Sequence, residues 1–108
     1  MRRNAHEPVV PEFAEAVIDL VDRVPAGRVV AYGNVAVMLG QGGGPRQVGH
    51  VMARYGGATS WWRVVRANGY PARGLEAEAL ARLRADGAPL IDGRRVDMRA
   101  ARWRGRPA

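Results

Sequence analysis

Cysteine is absent from the 108 residues, and so is lysine. The first absence excludes a disulfide framework, a thiolate metal site and a cysteine nucleophile. The second leaves arginine as the only source of the formal charge of +7. Histidine is scarce: His50 has only His6 as company, in a terminal stretch expected to be disordered, so no metal site is expected. No apolar run approaches the roughly 18 residues of a membrane-spanning helix. Met1-Arg2-Arg3-Asn4-Ala5-His6-Glu7 has no apolar segment of a signal peptide behind its arginines. A cytoplasmic location without membrane association is the expectation. The length fits one domain, able to bury about 65% of the surface of its unfolded chain.

Negative charge is missing from the middle of the chain. Arg28, Arg46, Arg54, Arg63, Arg66 and Arg73 follow one another with no Asp or Glu among them. The acids lie outside, Glu7 and then Glu12 to Asp22 on one side and Glu76 to Asp97 on the other. A segment with only positive charge, interleaved with aromatics and glycines, suits a polyanion, and phosphate neutralisation makes such binding salt-dependent.

Residues 1–10 are read as a disordered N-terminus and 11–108 as the domain. Pro11 to Val24 has helical spacing, with Phe13, Val17, Leu20, Val21 and Val24 facing inward, and Pro25-Ala26-Gly27 breaks it. Arg28 to Ala31 reads as a short strand and Gly33 to Leu39 as a short helix. Gly40-Gln41-Gly42-Gly43-Gly44 is a turn without the lysine and Ser/Thr of a phosphate-binding loop, so no nucleotide cofactor is expected. Pro45 opens a helix to Tyr55, its buried stripe Val48, Val51, Met52 and Tyr55. Helix, glycine turn and helix outline a helix-turn-helix. Gly49 leaves the outer side of the second helix slim, so that backbone can approach DNA closely.

Ser60-Trp61-Trp62-Arg63-Val64-Val65 holds two of the 3 tryptophans. As a strand it turns Trp61 and Trp62 to opposite faces, one inward and one to a cleft. Trp62 to Arg66, the turn Ala67-Asn68-Gly69 and the return Tyr70 to Arg73 read as a wing. Leu75 to Asp86 is a helix with Leu75, Ala79, Leu80 and Leu83 inward, ended by Gly87. Leu90-Ile91 and Val96-Asp97-Met98 make a small hairpin, and Arg99 to Ala108 is an arginine-rich tail holding Trp103. The fold class is mainly α with short β elements, a single winged helix-turn-helix domain.

Three blocks carry more than an outline: Val24-Pro25-Ala26-Gly27-Arg28-Val29-Val30-Ala31-Tyr32-Gly33, Pro45-Arg46-Gln47-Val48-Gly49-His50-Val51-Met52, and Trp61-Trp62-Arg63-Val64-Val65-Arg66-Ala67-Asn68-Gly69. Together they resemble the DNA-binding domain of O6-alkylguanine-DNA alkyltransferases, and more narrowly the alkyltransferase-like proteins, from about Phe13 to Trp103. The enzymes' active site reads Pro-Cys-His-Arg-Val; here Ser60-Trp61-Trp62-Arg63-Val64 stands in its place. Trp61 thus replaces the alkyl-accepting cysteine and Trp62 the relay histidine, while Asp86 falls where the enzymes place a relay glutamate. With no relay to complete, Asp86 reads as a polar residue at a helix end, and Arg63 as a support of the loop.

The resemblance implies a binder, not an enzyme. Its second helix would enter the minor groove, with Arg46 filling the gap left in the base stack as an arginine finger. Tyr32 would crowd the 3′ phosphate, and Trp61 would wall the pocket for a flipped O6-alkylguanine with Tyr32 and Arg73 beside it. Gln47 and Gly49 would face the groove, and Arg54 and Arg66 would contact phosphates. The partner is then double-stranded DNA holding the lesion, the protein a monomer associated with the nucleoid when bound, and the complex a mark for nucleotide excision repair proteins. One rival is a winged-helix regulator without lesion preference, reading sequence in the major groove. Another is an enzyme with a different nucleophile among Asp86, Glu76, Ser60 and His50, none of which has a partner in sequence.

Overall fold

The structure is a computed structural model and describes residues 11–40 and 42–105. The terminal stretch 1–10 lies outside the described residues. In chain order come α1 (Pro11–Asp22), β1 (Val30–Ala31), α2 (Tyr32–Leu39), α3 (Pro45–Tyr55), β2 (Val64–Val65), α4 (Glu76–Asp86), β3 (Leu90–Ile91), β4 (Arg95–Val96) and α5 (Met98–Ala101). Two single-turn 3-10 helices, Gly56–Ala58 and Trp61–Arg63, link α3 to β2.

Proline at the first position of α1 and of α3 sets the backbone angle without costing a hydrogen bond. The α3 start is closed by Gln47, whose Oε1 accepts from the Gly44 N–H at 2.9 Å. Helix α4 ends on Gly87, in the left-handed conformation at φ 81°.

β1 and β2 pair in parallel, Val30 opposite Val64 and Ala31 opposite Val65. Alternation along these strands separates two cores. Val30 and Val64 pack with Phe13, Val17, Val21, Val35, Val48 and Val51 under the helix-turn-helix. Val29 and Val65 pack with Leu83, Ala88, Val96 and Ala101 beneath α4. The pair of strands therefore ties the helix-turn-helix to α4, and the segment between α3 and β2 is pinned where the two halves meet.

The mainly α, winged helix-turn-helix fold matches expectation, with four local corrections. Trp61 and Trp62 lie in a 3-10 turn, not a strand, because the strand begins only at Val64. The wing is a tight loop: Arg66 N–H donates to Tyr70 O and Gly69 N–H to Arg66 O, both at 2.8 Å, and no return strand is assigned to Tyr70–Arg73. Gly69 O accepts instead from Val96 N–H, at φ 91° for Gly69, where a Cβ would collide with the Val96 carbonyl. Tyr55 and Leu75 are about half exposed, at 50% and 47%, because the buried stripes stop at Val51 and begin at Ala79. Trp103 belongs to no tail: its N–H donates to Val29 O at 2.8 Å and its ring is buried in the first core.

Candidate nucleic-acid interface

The outward face of α3 carries Arg46, Gly49, His50 and Ala53, one helical turn after another. Two of the four add almost no bulk. An added Cβ at Gly49 would meet nothing within 4 Å, so no packing inside the protein requires glycine there. Arg46 and Arg54 are exposed, and the Arg54 guanidinium lies 5.5 Å from the Tyr55 ring centroid.

Beside this face opens a cavity of about 450 Å³. Tyr32, from the first position of α2, and Trp61, from the 3-10 turn, line it together with Gly49, Met52 and Ala53 of α3. Gly56, Gly57, Ala72, Arg73, Leu75 and Glu78 complete its lining. Four residues read from the sequence as site residues, Tyr32, Gly49, Trp61 and Arg73, are thus brought together around one space. Met52 was readable from sequence only as core. Leu75 was read as inward from the helical spacing of α4, and Glu78 carried no signal in the sequence.

The Tyr32 phenol is held above the usual tyrosine range: burial disfavours the phenolate, and the Arg66 cation pulls the other way without cancelling this. It remains a neutral O–H in the cavity lining. Arg66 is engaged within the fold. Its Nε donates to Pro71 O at 2.9 Å and its Nη2 lies 3.6 Å from Glu76 Oε2. Gln47 likewise spends its carbonyl on the start of α3.

Next to Trp61 lies a partly buried polar cluster. Asp86 Oδ2 accepts from Trp62 Nε1 at 2.9 Å and from Arg63 Nε at 2.8 Å, and Oδ1 accepts from Arg63 Nη2 at 3.0 Å. Arg63 Nη1 also donates to Val24 O at 2.9 Å and Ser60 Oγ at 3.3 Å. Hydrogen bonds from Arg63 hold the Asp86 carboxyl below the ordinary aspartate range; burial opposes them, and the Trp62 and Gly27 N–H groups assist. Asp86 is therefore more than a polar helix end: it joins α4 to the tryptophan turn and, through Arg63, to the segment after α1.

The profile of the DNA-binding domain of 6-O-methylguanine DNA methyltransferase matches residues 12–88, most of the chain. The protein belongs to that family. Within it the chain is an alkyltransferase-like protein. It is similar to the DNA base-flipping protein of Escherichia coli (strain K12), 33% identical over 84% of this chain and 74% of that one. It is also similar to the DNA base-flipping protein of Vibrio parahaemolyticus, 26% identical over 85% of this chain and 96% of that one. The structure of S. pombe Atl1 in complex with damaged DNA containing O6-carboxymethylguanine superposes with a TM-score of 0.77, at 25% identity, over 88% of this chain and 97% of that one. A second structure of the S. pombe protein in complex with DNA gives 0.74 at 27% identity, over the same shares. The family domain spans both the slim face of α3 and most of the cavity lining, Trp61 included.

Proposed function

We propose that this alkyltransferase-like protein binds O6-alkylguanine in duplex DNA, rotates the nucleotide out of the helix and leaves the alkyl group in place. The observation that carries the proposal is the cavity between Tyr32, Trp61 and Arg73, opening beside a helix face of minimal bulk. A base inside a duplex cannot reach a pocket, so it is extruded first. α3 approaches through the minor groove, and the Arg46 side chain takes the vacated place in the stack. Unstacking costs a few kcal/mol. Phosphate contacts from Arg54 and Arg66 offset it, as does stacking of the flipped base on Trp61, worth about 1–3 kcal/mol. Tyr32, as a neutral phenol, approaches a phosphate without repulsion. Arg66 adds charge nearby while its Nε stays on Pro71.

The alkyl group is not transferred. Alkyl transfer needs a strong nucleophile, and position 61 offers an indole in a chain with Cys 0. The bound complex, formed by a monomer in the bacterial cytoplasm on nucleoid DNA, then serves as a mark for nucleotide excision repair. A regulator reading sequence through the major groove would have no use for a cavity beside α3.

Base rotation is tested with 2-aminopurine placed next to the lesion, whose fluorescence rises when its stacking neighbour leaves. Wild type should brighten it, and Arg46→Ala should bind with much less brightening. Tight binding with no brightening by wild type would show that the lesion stays stacked.

A further inference from the structure

We propose that Asp86 and Trp62 are positioning residues for the pocket wall: the bond from the Trp62 indole N–H to the Asp86 carboxylate fixes the ring against which Trp61 is set. The inference rests on Trp61 being that wall. Trp62 is not itself among the cavity residues; it packs against the second core. Its ring and that of Trp61 meet edge to face, with centroids 5.9 Å apart and planes at 88°. Among the described residues the Trp61 indole makes no hydrogen bond, so neighbouring rings and cations orient it. Trp62 is held from several sides: by Asp86, by the Arg63 guanidinium 5.3 Å from its centroid and by that of Arg82 at 4.8 Å.

Arg82 extends the arrangement to the cavity rim. Its guanidinium lies 6.0 Å from the Trp61 centroid, and its Nη2 pairs with Glu78 Oε2 at 3.2 Å. Glu78 is a cavity residue. From Asp86 through Trp62 to Trp61, α4 sets the wall of the space, and the Arg82–Glu78 pair borders it. Edge-to-face rings favour one mutual angle because the positive edge of one faces the negative face of the other. A wall already set before DNA arrives avoids the cost of ordering it on binding. Asp86 and Trp62 therefore act on selectivity, not on general DNA affinity.

The test pairs two variants with two readouts. Asp86→Ala keeps both indoles but removes the acceptor, so the far-ultraviolet exciton circular dichroism of the Trp61–Trp62 pair, measured without DNA, reads their mutual geometry. Trp62→Phe keeps the Arg63–Asp86 ion pair, and with it the fold, but removes the N–H donor. Each is then titrated with duplexes carrying O6-methylguanine or guanine. The exciton signal should weaken in Asp86→Ala. In both variants the ratio of the two affinities should fall about tenfold, which is about 1.4 kcal/mol, with guanine-duplex affinity essentially kept. An unchanged exciton signal in Asp86→Ala, or an unchanged ratio in Trp62→Phe, overturns the proposal. A wild type with no lesion preference would overturn the lesion-binding reading instead, and the exciton signal would still decide whether Asp86 sets the rings.

Discussion

Gly49 stands inside α3 on its outward face, where a Cβ would touch nothing. Folding alone therefore favours alanine at this position. Alanine exceeds glycine in a helix interior by about 0.8–1.0 kcal/mol, which in a domain of this size raises Tm by about 4–8 °C. DNA binding demands the opposite if this face enters the groove. A methyl group at the point of closest approach either separates the surfaces or strains them, and overpacking of that kind costs about 1–3 kcal/mol. Gly49→Ala should therefore melt higher and bind duplex DNA roughly 5- to 150-fold more weakly. Thermal melting followed by circular dichroism and anisotropy titration of a labelled duplex measure the two effects on one preparation. A higher Tm with undiminished affinity would refute α3 as the groove-facing helix. A lower Tm would refute the account of Gly49 as free of packing.

Other perturbations separate the struts from the pocket. Asp86→Ala leaves the largely buried Arg63 guanidinium without its carboxylate and should cost about 3 kcal/mol, as removing one partner of a buried pair does; urea unfolding measures it. Because the folded pKa of Asp86 is depressed, its contribution is full above the ordinary aspartate value of about 3.9 and is lost as pH falls through the folded value. The gap in Tm between wild type and Asp86→Asn should therefore be constant near neutrality and close under strong acid, and a gap that widens on acidification would contradict the assignment. Trp103→Ala should lose about 3–5 kcal/mol by chemical denaturation, whereas a true tail would lose nothing. Trp61→Cys should acquire no dealkylating activity, since Trp62 offers no basic nitrogen to activate the thiol; transfer of a labelled alkyl group from DNA to that variant would contradict it.

The helices were legible because their signals are local. Pro11 and Pro45 mark helix starts, and the spacing from Phe13 to Val21 and from Val48 to Val51 gives the buried stripes. Tyr32 and Trp61, singled out in sequence by the residues around them, meet at one cavity. What the sequence hid depends on distant partners. Val64-Val65 lends the tryptophan stretch the look of a strand, but β2 pairs with β1 in the parallel sense and the tryptophans wind into the turn before it. The wing has no return strand: the Gly69 N–H closes the loop on Arg66 O while its carbonyl accepts from Val96. Trp103 reads as a tail until Val29 is placed beside it. Asp86 looks idle until Trp62 and Arg63, far back in the chain, close on its carboxylate.

A single titration tests the central claim most directly. Two short duplexes, identical except for one O6-methylguanine in place of guanine, are titrated at fixed salt with wild type and Trp61→Ala, and the DNA is recovered afterwards. The account predicts tighter binding of the lesion duplex by wild type, loss of most of that preference in Trp61→Ala, and recovered DNA that still carries its methyl group. Equal binding of both duplexes by wild type would contradict it, and so would demethylated DNA.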